Sequence, residues 1–346
     1  MTAALVSAGP SVLLSHRAWR RQRARAALRL ATPNRIEEAG FLRIGGIEQW
    51  LSLRGEDRRN PVLLELHGGP GASNTIFTNR TRTWEKHFTL ARWDMRGAGK
   101  TYAKGGESQQ GELGFARIEA DAIEVAQYVR STVGAPIVLL ANSFGTTFGL
   151  RVARARPDLF AAYVGTDQHI CDASGVDPAY AGSLERLRAA GKARDVATLA
   201  AIGADTYEWS ARDWSESARI VSRSDPRLAK VLKNVVAASL WFSPLHRLSE
   251  LPQFAEAMNF SARLRLEAVH FDAVGEGVTF DVPFFIFQGE HDILTPVDVA
   301  SRFWARVKAP TKDFAVIRGA THFASFADPE AFLELLVGRV LPNLRH

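Results

Sequence analysis

Six short apolar runs constrain this chain more than any other feature. "PVLLELHGGPG", "FTLARWDMRGAGK", "PIVLLAN", "FAAYVGTD", "VPFFIFQG" and "KDFAVIRG" each read as a strand, "PIVLLAN" as a buried one, and most end in glycine or small polar residues. Continuous apolar runs, in place of alternating ones, suit strands covered on both faces. Helical spacing separates several of them, over Asp121 to Val133, Phe144 to Ala155, Val297 to Val307 and Pro329 to Leu341. Strands alternating with helices predict an α/β fold built on a mostly parallel sheet. A hairpin, "FLRIGGIEQWLSL", precedes them.

The alternation stops between about Gln168 and Asp281, where the patterns are helical and no buried strand interrupts them. Three parts are therefore expected. Residues 1–35 form a basic tail, residues 36–167 and 282–346 a sheet core, and residues 168–281 an inserted helical cap. Open α/β sheets place their sites at the carboxyl ends of the strands, so a cap there would cover the site.

Charge is concentrated in the tail. The net charge of +6 includes seven arginines within residues 1–35, which hold no lysine and no acid, so the remainder carries −1. Past the tail nothing in the charge pattern points to nucleic acid. The apolar stretch "AALVSAGPSVLL" precedes the arginines, the wrong order for a signal peptide, and it is too short to span a bilayer. A disordered start, a helix making weak contact with an anionic membrane surface and an arginine-rich targeting segment are the open readings. Cys171 is the only cysteine, which excludes an intrachain disulfide and a cysteine-rich metal site. The expected location is cytoplasmic, with peripheral membrane association through residues 1–35 as the variant.

"VLLANSFGTTFGL" contains the most informative serine. A nucleophile held on a sharp strand-to-helix turn needs small residues two before and two after it, because the two backbones pass closely there. Ala141 and Gly145 occupy those positions around Ser143. A helix N-cap serine would give a similar stretch. Partners later in the chain favour the nucleophile. A serine needs a base and an orienting acid, in the order serine, acid, histidine, after successive strands. "GEHDILTP" supplies Glu290, His291 and Asp292, and "GATHF" supplies His322. Asp292 is chosen as the acid, Glu290 is its competitor, and His291 is read as structural. The base His322 should titrate near 6 to 7. Oxyanion donors are expected from the backbone N–H of Phe144 and, in the "HGGPG" loop spanning His67 to Gly71, of Gly69. No metal or cofactor is called for.

Together "HGGPG", "DMRGAGKT", "ANSFGTT", "GEHDILTP" and "GATHF" resemble the α/β-hydrolase superfamily over roughly residues 40–342. Within it, "HGGPG" and the Asp-x-Arg-Gly-x-Gly loop look like the prolyl aminopeptidase (proline iminopeptidase) family. The resemblance implies a metal-free serine hydrolase with a helical lid. It assigns the triad to Ser143, Asp292 and His322, and implies that Asp94 and Arg96 pair to brace the mouth of the site, beside Gly97. The departures are Ala141 where the elbow usually has glycine, Phe144 where it has tryptophan, and Met95 where the loop has glutamine. The lid element that holds a substrate amine in the family has a different spacing in "YEWSARDWSES". Glu208, Trp209, Trp214 and Glu216 are therefore candidate substrate-binding residues, joined by Asp167 and by Gln168 of "GTDQH". Expected substrates are short peptides with an N-terminal proline, or small amides. An esterase or lactonase is the alternative, and a non-catalytic ligand receptor a minor one. Epoxide hydrolases and dehalogenases need a carboxylate where Ser143 stands.

Overall fold

The computed structural model describes residues 9–345. An eight-stranded sheet runs in the order β1-β2-β4-β3-β5-β6-β7-β8. β1 (Ile36–Ile44) and β2 (Ile47–Gly55) form the hairpin read at Gly45-Gly46, and β2 pairs antiparallel with β4 (Thr89–Asp94). From β4 onward every pairing is parallel, through β3 (Val62–Leu66), β5 (Ile137–Asn142), β6 (Ala162–Thr166), β7 (Phe284–Gly289) and β8 (Lys312–Ile317). All residues of β3, β5, β6 and β7 are buried, which is why these strands lack polar alternation.

An N-terminal helix, α1 (Pro10–Ala27), precedes the sheet. α2 (Gly99–Gly105) follows β4, α3 (Phe115–Val133) leads to β5, and α4 (Gly145–Ala155) follows it. α3 stops at Gly134, whose φ of 73° is the left-handed cap that glycine adopts without strain. Between β6 and β7 lie only helices: α5 (Tyr180–Ala189), α6 (Ala193–Ile202), α7 (Ala211–Ser224), α8 (Pro226–Val231), α9 (Ala238–Phe242), α10 (Glu250–Ser261) and α11 (Leu264–Ala268). α7 begins in a capping box, with Ser210 and Asp213 each satisfying the other's backbone N–H. α12 (Val297–Arg306), the short α13 (Ala324–Ala327) and α14 (Pro329–Leu335) complete the sheet's flanks.

The basic tail differs from the expectation of a disordered start. Residues 3–8 of its apolar stretch lie outside the described residues, but the remainder is a helix docked on the segment between β6 and β7. The last carbonyls of a helix lack intrahelical partners and attract cations. Arg17 donates to Trp241 O (2.8 Å) at the end of α9, and Arg21 donates to Ser243 O (2.9 Å) and His246 O (2.7 Å). Arg25 reaches Pro244 O, and the guanidinium of Arg17 lies over the Trp241 ring. The arginines on this face thus satisfy protein carbonyls. Val12, Leu13, Leu14 and Trp19 remain exposed on the helix. No described helix is long and apolar enough to cross a membrane.

Candidate active site

Ser143 occupies the turn between β5 and α4 with φ at 51°, a region non-glycine residues rarely enter. The turn is over-determined by its neighbours. Ser143 N–H donates to Thr166 O on β6, and a Cβ at Gly145 would lie 2.5 Å from the carbonyl oxygens of Leu66 and His67. Ala141 is accommodated from the helix side. A Cβ at Gly149, one turn into α4, would lie 2.7 Å from the Ala141 Cβ. The glycine missing from the strand is compensated by one on the helix, so the two backbones still pass closely.

His322 lies after β8 and Asp292 after β7, and the structure brings both to Ser143. Ser143 Oγ and His322 Nε2 are hydrogen-bonded at 3.0 Å, and His322 Nδ1–H donates to Asp292 Oδ2 (2.8 Å). His322 and Asp292 are both buried. Asp292 is itself held from several sides. Its Oδ1 accepts the N–H of Leu294 (2.9 Å) and Thr295 (3.0 Å), and its Oδ2 accepts the Thr295 hydroxyl (2.7 Å) and Gln288 Nε2 (3.2 Å). Glu290 instead accepts the Gly319 N–H and is exposed, His291 is half-buried, and neither joins this chain of bonds.

Burial alone would lower the His322 pKa. The carboxylates of Asp292 and Asp167 and the hydrogen bond to Asp292 outweigh it and hold the imidazole up at about 9, above the 6 to 7 expected from sequence. Asp167 makes this environment unusual. Its oxygens, those of Asp292 and the His322 ring nitrogens include a set lying within 4.8 Å of one another. Asp167 stands just past β6 with φ at 50° and accepts the N–H groups of Phe323 (3.0 Å) and Ala324 (3.4 Å). Burial raises its pKa to about 7, against the pull of His322.

The loop from His67 to Gly71 lies over the serine. A Cβ at Gly68 would sit 2.9 Å from the Ser143 Cβ, so only glycine permits this approach. His67 ties the loop to the next one: its Nδ1–H donates to Gly68 O (3.0 Å), and its Nε2 accepts the Met95 N–H (3.1 Å). Burial keeps this ring neutral, with its pKa lowered to about 4. Among the described residues no protein acceptor takes the N–H of Gly69 or of Phe144, and both residues line the cavity above Ser143.

The expected Asp94–Arg96 pair is corrected. Arg96 binds Asp121 of α3 (3.0 Å) and the carbonyls of Gly45 and Gln110. Asp94 accepts the Ser73 hydroxyl and the Lys100 N–H (2.7 Å), and burial raises its pKa to about 6. The two residues brace different neighbours because their side chains leave the loop in different directions. Gly97 O accepts the Ser261 hydroxyl (2.8 Å), linking the loop to α10.

A cavity of ≈ 390 Å³ opens above Ser143, His322 and Asp167. Its walls are largely apolar and include Phe77, Trp209, Trp214, Val221, Phe254 and Phe326. Trp209 and Trp214 meet edge to face with centroids 4.7 Å apart. The other substrate-binding expectations are corrected. Glu208 is exposed and Glu216 pairs with Arg219 (2.6 Å); neither lines the cavity. On α7 the side of Trp214 and Val221 faces the site, and Glu216 falls off it. Gln168 is turned into the core, where its Oε1 accepts the Tyr163 hydroxyl (2.9 Å) in space left by Gly165. Its backbone N–H donates to Gln288, so it supports the strand that carries Asp292. Sequence reasoning missed Gln288 and Thr295 around Asp292, and Arg265 in the cavity wall. The spacing of Gln288 and Thr295 to Asp292 within one strand-end loop was the available signal.

Known proteins resemble this chain in sequence and in fold. A family model described as "Serine aminopeptidase, S33" matches residues 58–329. A protein of Bacillus subtilis (strain 168) named "Probable aminopeptidase YbaC" is 24% identical over 306 residues, covering 85% of this chain and 93% of that protein. A proline iminopeptidase-related protein from Thermus thermophilus superposes with a TM-score of 0.59 at 19% identity, over 89% of this chain and 99% of the other. A thermophilic esterase from Thermogutta terrifontis gives 0.56 at 16% identity, over 90% and 99%. These solved structures share the fold of this chain. With the family model matching most of its length, the chain belongs to the S33 serine aminopeptidase family of α/β-hydrolases and is a serine hydrolase.

Proposed function

We propose that the chain cleaves a small ester or amide through an acyl-enzyme, with Ser143 as nucleophile, His322 as base and Asp292 as the acid that orients it. The observation that carries this reading is the continuous chain of hydrogen bonds from Ser143 through His322 to Asp292 at the floor of the cavity. As Ser143 Oγ attacks the carbonyl, its proton passes to His322 Nε2, and the Asp292 and Asp167 carboxylates stabilise the imidazolium. The N–H groups of Gly69 and Phe144 receive the developing oxyanion. His322 then returns the proton to the leaving group, and water repeats the sequence to release the acyl group. No step needs a metal or cofactor.

The mostly apolar walls suit a compact apolar group on a small molecule or short peptide. Release of N-terminal residues, as from prolyl peptides, is the second reading, favoured by the family's description and the name of the Bacillus relative. It requires a carboxylate for the substrate amine. Glu208 and Glu216 lie outside the cavity, and the carboxylates that do line it, Asp167, Asp172 and Asp177, each already accept backbone N–H groups, so the geometry favours acyl donors without that amine.

The test is covalent labelling of Ser143 by a fluorophosphonate, followed by a panel of chromogenic acyl and aminoacyl substrates. Ser143→Ala should abolish labelling and lower kcat by several orders of magnitude with the fold retained. Near-normal turnover in that variant would overturn the reading. A loss of tenfold or more in kcat/KM on acetylating the amine of a prolyl substrate would put the aminopeptidase reading in first place.

A further inference from the structure

α11 carries Arg265 and Glu267, with Arg263 just before its start, and these three charges meet different surroundings. Glu267 accepts the Phe115 N–H (2.8 Å), and Arg263 pairs with Glu107 (3.0 Å). Arg265 has no such partner. Among the described residues its only side-chain hydrogen bond is a long one, from Nη2 to Gly69 O (3.5 Å), and no carboxylate lies within ion-pair distance. The guanidinium sits over the Trp214 ring, 5.7 Å from its centroid, and forms part of the cavity wall. Burial without a compensating acid lowers its pKa, yet guanidinium stays charged at any ordinary pH.

Arg265 is half-buried in a largely apolar wall, where a cation without a protein carboxylate is best satisfied by an anion brought by a ligand. The protein carboxylates around the cavity are engaged elsewhere. Asp167 accepts the Phe323 and Ala324 N–H groups, Asp177 the Ala179 N–H (2.9 Å), and Asp172 the Ser174 N–H (2.9 Å). His169, also in the wall, has its pKa lowered to about 4 by burial and then by the charges of His322 and Arg265. It is therefore neutral and supplies no charge of either sign.

We infer that Arg265 recognises a carboxylate on the substrate, held beside the Gly69 loop while Ser143 attacks a second carbonyl of the same molecule. The inference rests on the serine-hydrolase reading above and narrows its substrate class to anionic small molecules. The planar fork of arginine donates two parallel hydrogen bonds to a carboxylate, and the Trp214 face limits the orientations it can take. The carboxylate could belong to the acyl part, as in a half-ester of a dicarboxylic acid, or to the leaving group, as in an acylated amino or hydroxy acid.

Two matched substrate pairs separate these sources. 4-Nitrophenyl hemiglutarate against 4-nitrophenyl pentanoate places the charge on the acyl side. 4-Acetoxybenzoate against its methyl ester places it on the leaving group. The readout is the anionic-to-neutral ratio of kcat/KM, compared between the wild type and Arg265→Met, so that differences in intrinsic reactivity cancel. For one of the pairs the ratio should fall at least tenfold in Arg265→Met and recover in part in Arg265→Lys, which keeps the charge and loses the fork. A ratio unchanged in both pairs, with both substrates slowed equally, would overturn the inference and leave Arg265 a brace for the Gly69 loop.

Thermal stabilisation by millimolar glutarate provides a readout independent of turnover. It should be present in the wild type and lost in Arg265→Met. If Ser143 fails to label yet this stabilisation is seen, the hydrolase reading fails while Arg265 remains an anion site. If glutarate stabilises both proteins equally, or neither, Arg265 is not one.

Discussion

Replacing Asp167 by asparagine tests the electrostatics of the site directly. The base must be neutral to accept the Ser143 proton, so kcat/KM should rise with pH through the His322 pKa. That pKa stands at about 9, and Asp167 at about 7. Between these values Asp167 is ionised while His322 is still protonated, so its negative charge favours the imidazolium throughout the range where the base titrates. The groups lie within 4.8 Å. With an effective dielectric constant of about 20, unit charges at that separation interact by roughly 3.5 kcal/mol, or about two and a half pKa units, before solvent screening reduces it.

Asparagine keeps the size of the side chain and one acceptor oxygen for the Phe323 N–H. Removing the charge withdraws stabilisation from the imidazolium, so the rising limb should move to lower pH by about one to two units. At pH 7 a base titrating near 9 is neutral in about one molecule in a hundred. Asp167→Asn should therefore be roughly tenfold or more faster than the wild type in kcat/KM at pH 7, and similar to it at pH 10. The assay is the pH profile of kcat/KM for a neutral chromogenic ester, with probe labelling to count intact sites. A profile that does not move, or one that moves to higher pH, would refute the proposed coupling between Asp167 and His322.

Two further outcomes follow from packing. Gly149→Ala should destabilise the protein by about 1–3 kcal/mol through overpacking against Ala141, and Ala141→Gly in the same chain should recover most of that in a thermal-melt double-mutant cycle. Deleting residues 1–28 removes the arginine contacts to the end of α9, so Tm should fall by several degrees, while an unchanged melt would mean α1 contributes nothing to the helical segment.

The sheet was legible because burial on both faces leaves an unmistakable apolar run. Strands such as Ile137–Asn142 and Phe284–Gly289 are found where those runs predict them. Ser143, Asp292 and His322 could be marked out for the same reason. Each follows a strand of the parallel sheet within a few residues, and the sheet puts all those strand ends on one edge, so order along the chain becomes proximity in space. Asp167 stands in the same position after β6, and that position alone marks it for the same cluster. Sequence reads it as an amine-binding candidate, whereas its carboxylate faces the base. What stayed illegible depends on which way a side chain turns from a helix or loop. Nothing in "YEWSARDWSES" says that Trp209 and Trp214 enter the cavity while Glu208 and Glu216 stay outside, since the orientation of α7 is set by contacts far away in sequence. The tail misleads in the same way. Seven arginines without an acid read as a segment seeking an external anion, but composition does not record that three of them, Arg17, Arg21 and Arg25, meet the carbonyls at and just past the end of α9. Arg265 presents the opposite case: a cation with no carboxylate partner among the described residues, whose proposed role comes from its place in the cavity wall and not from the sequence around it.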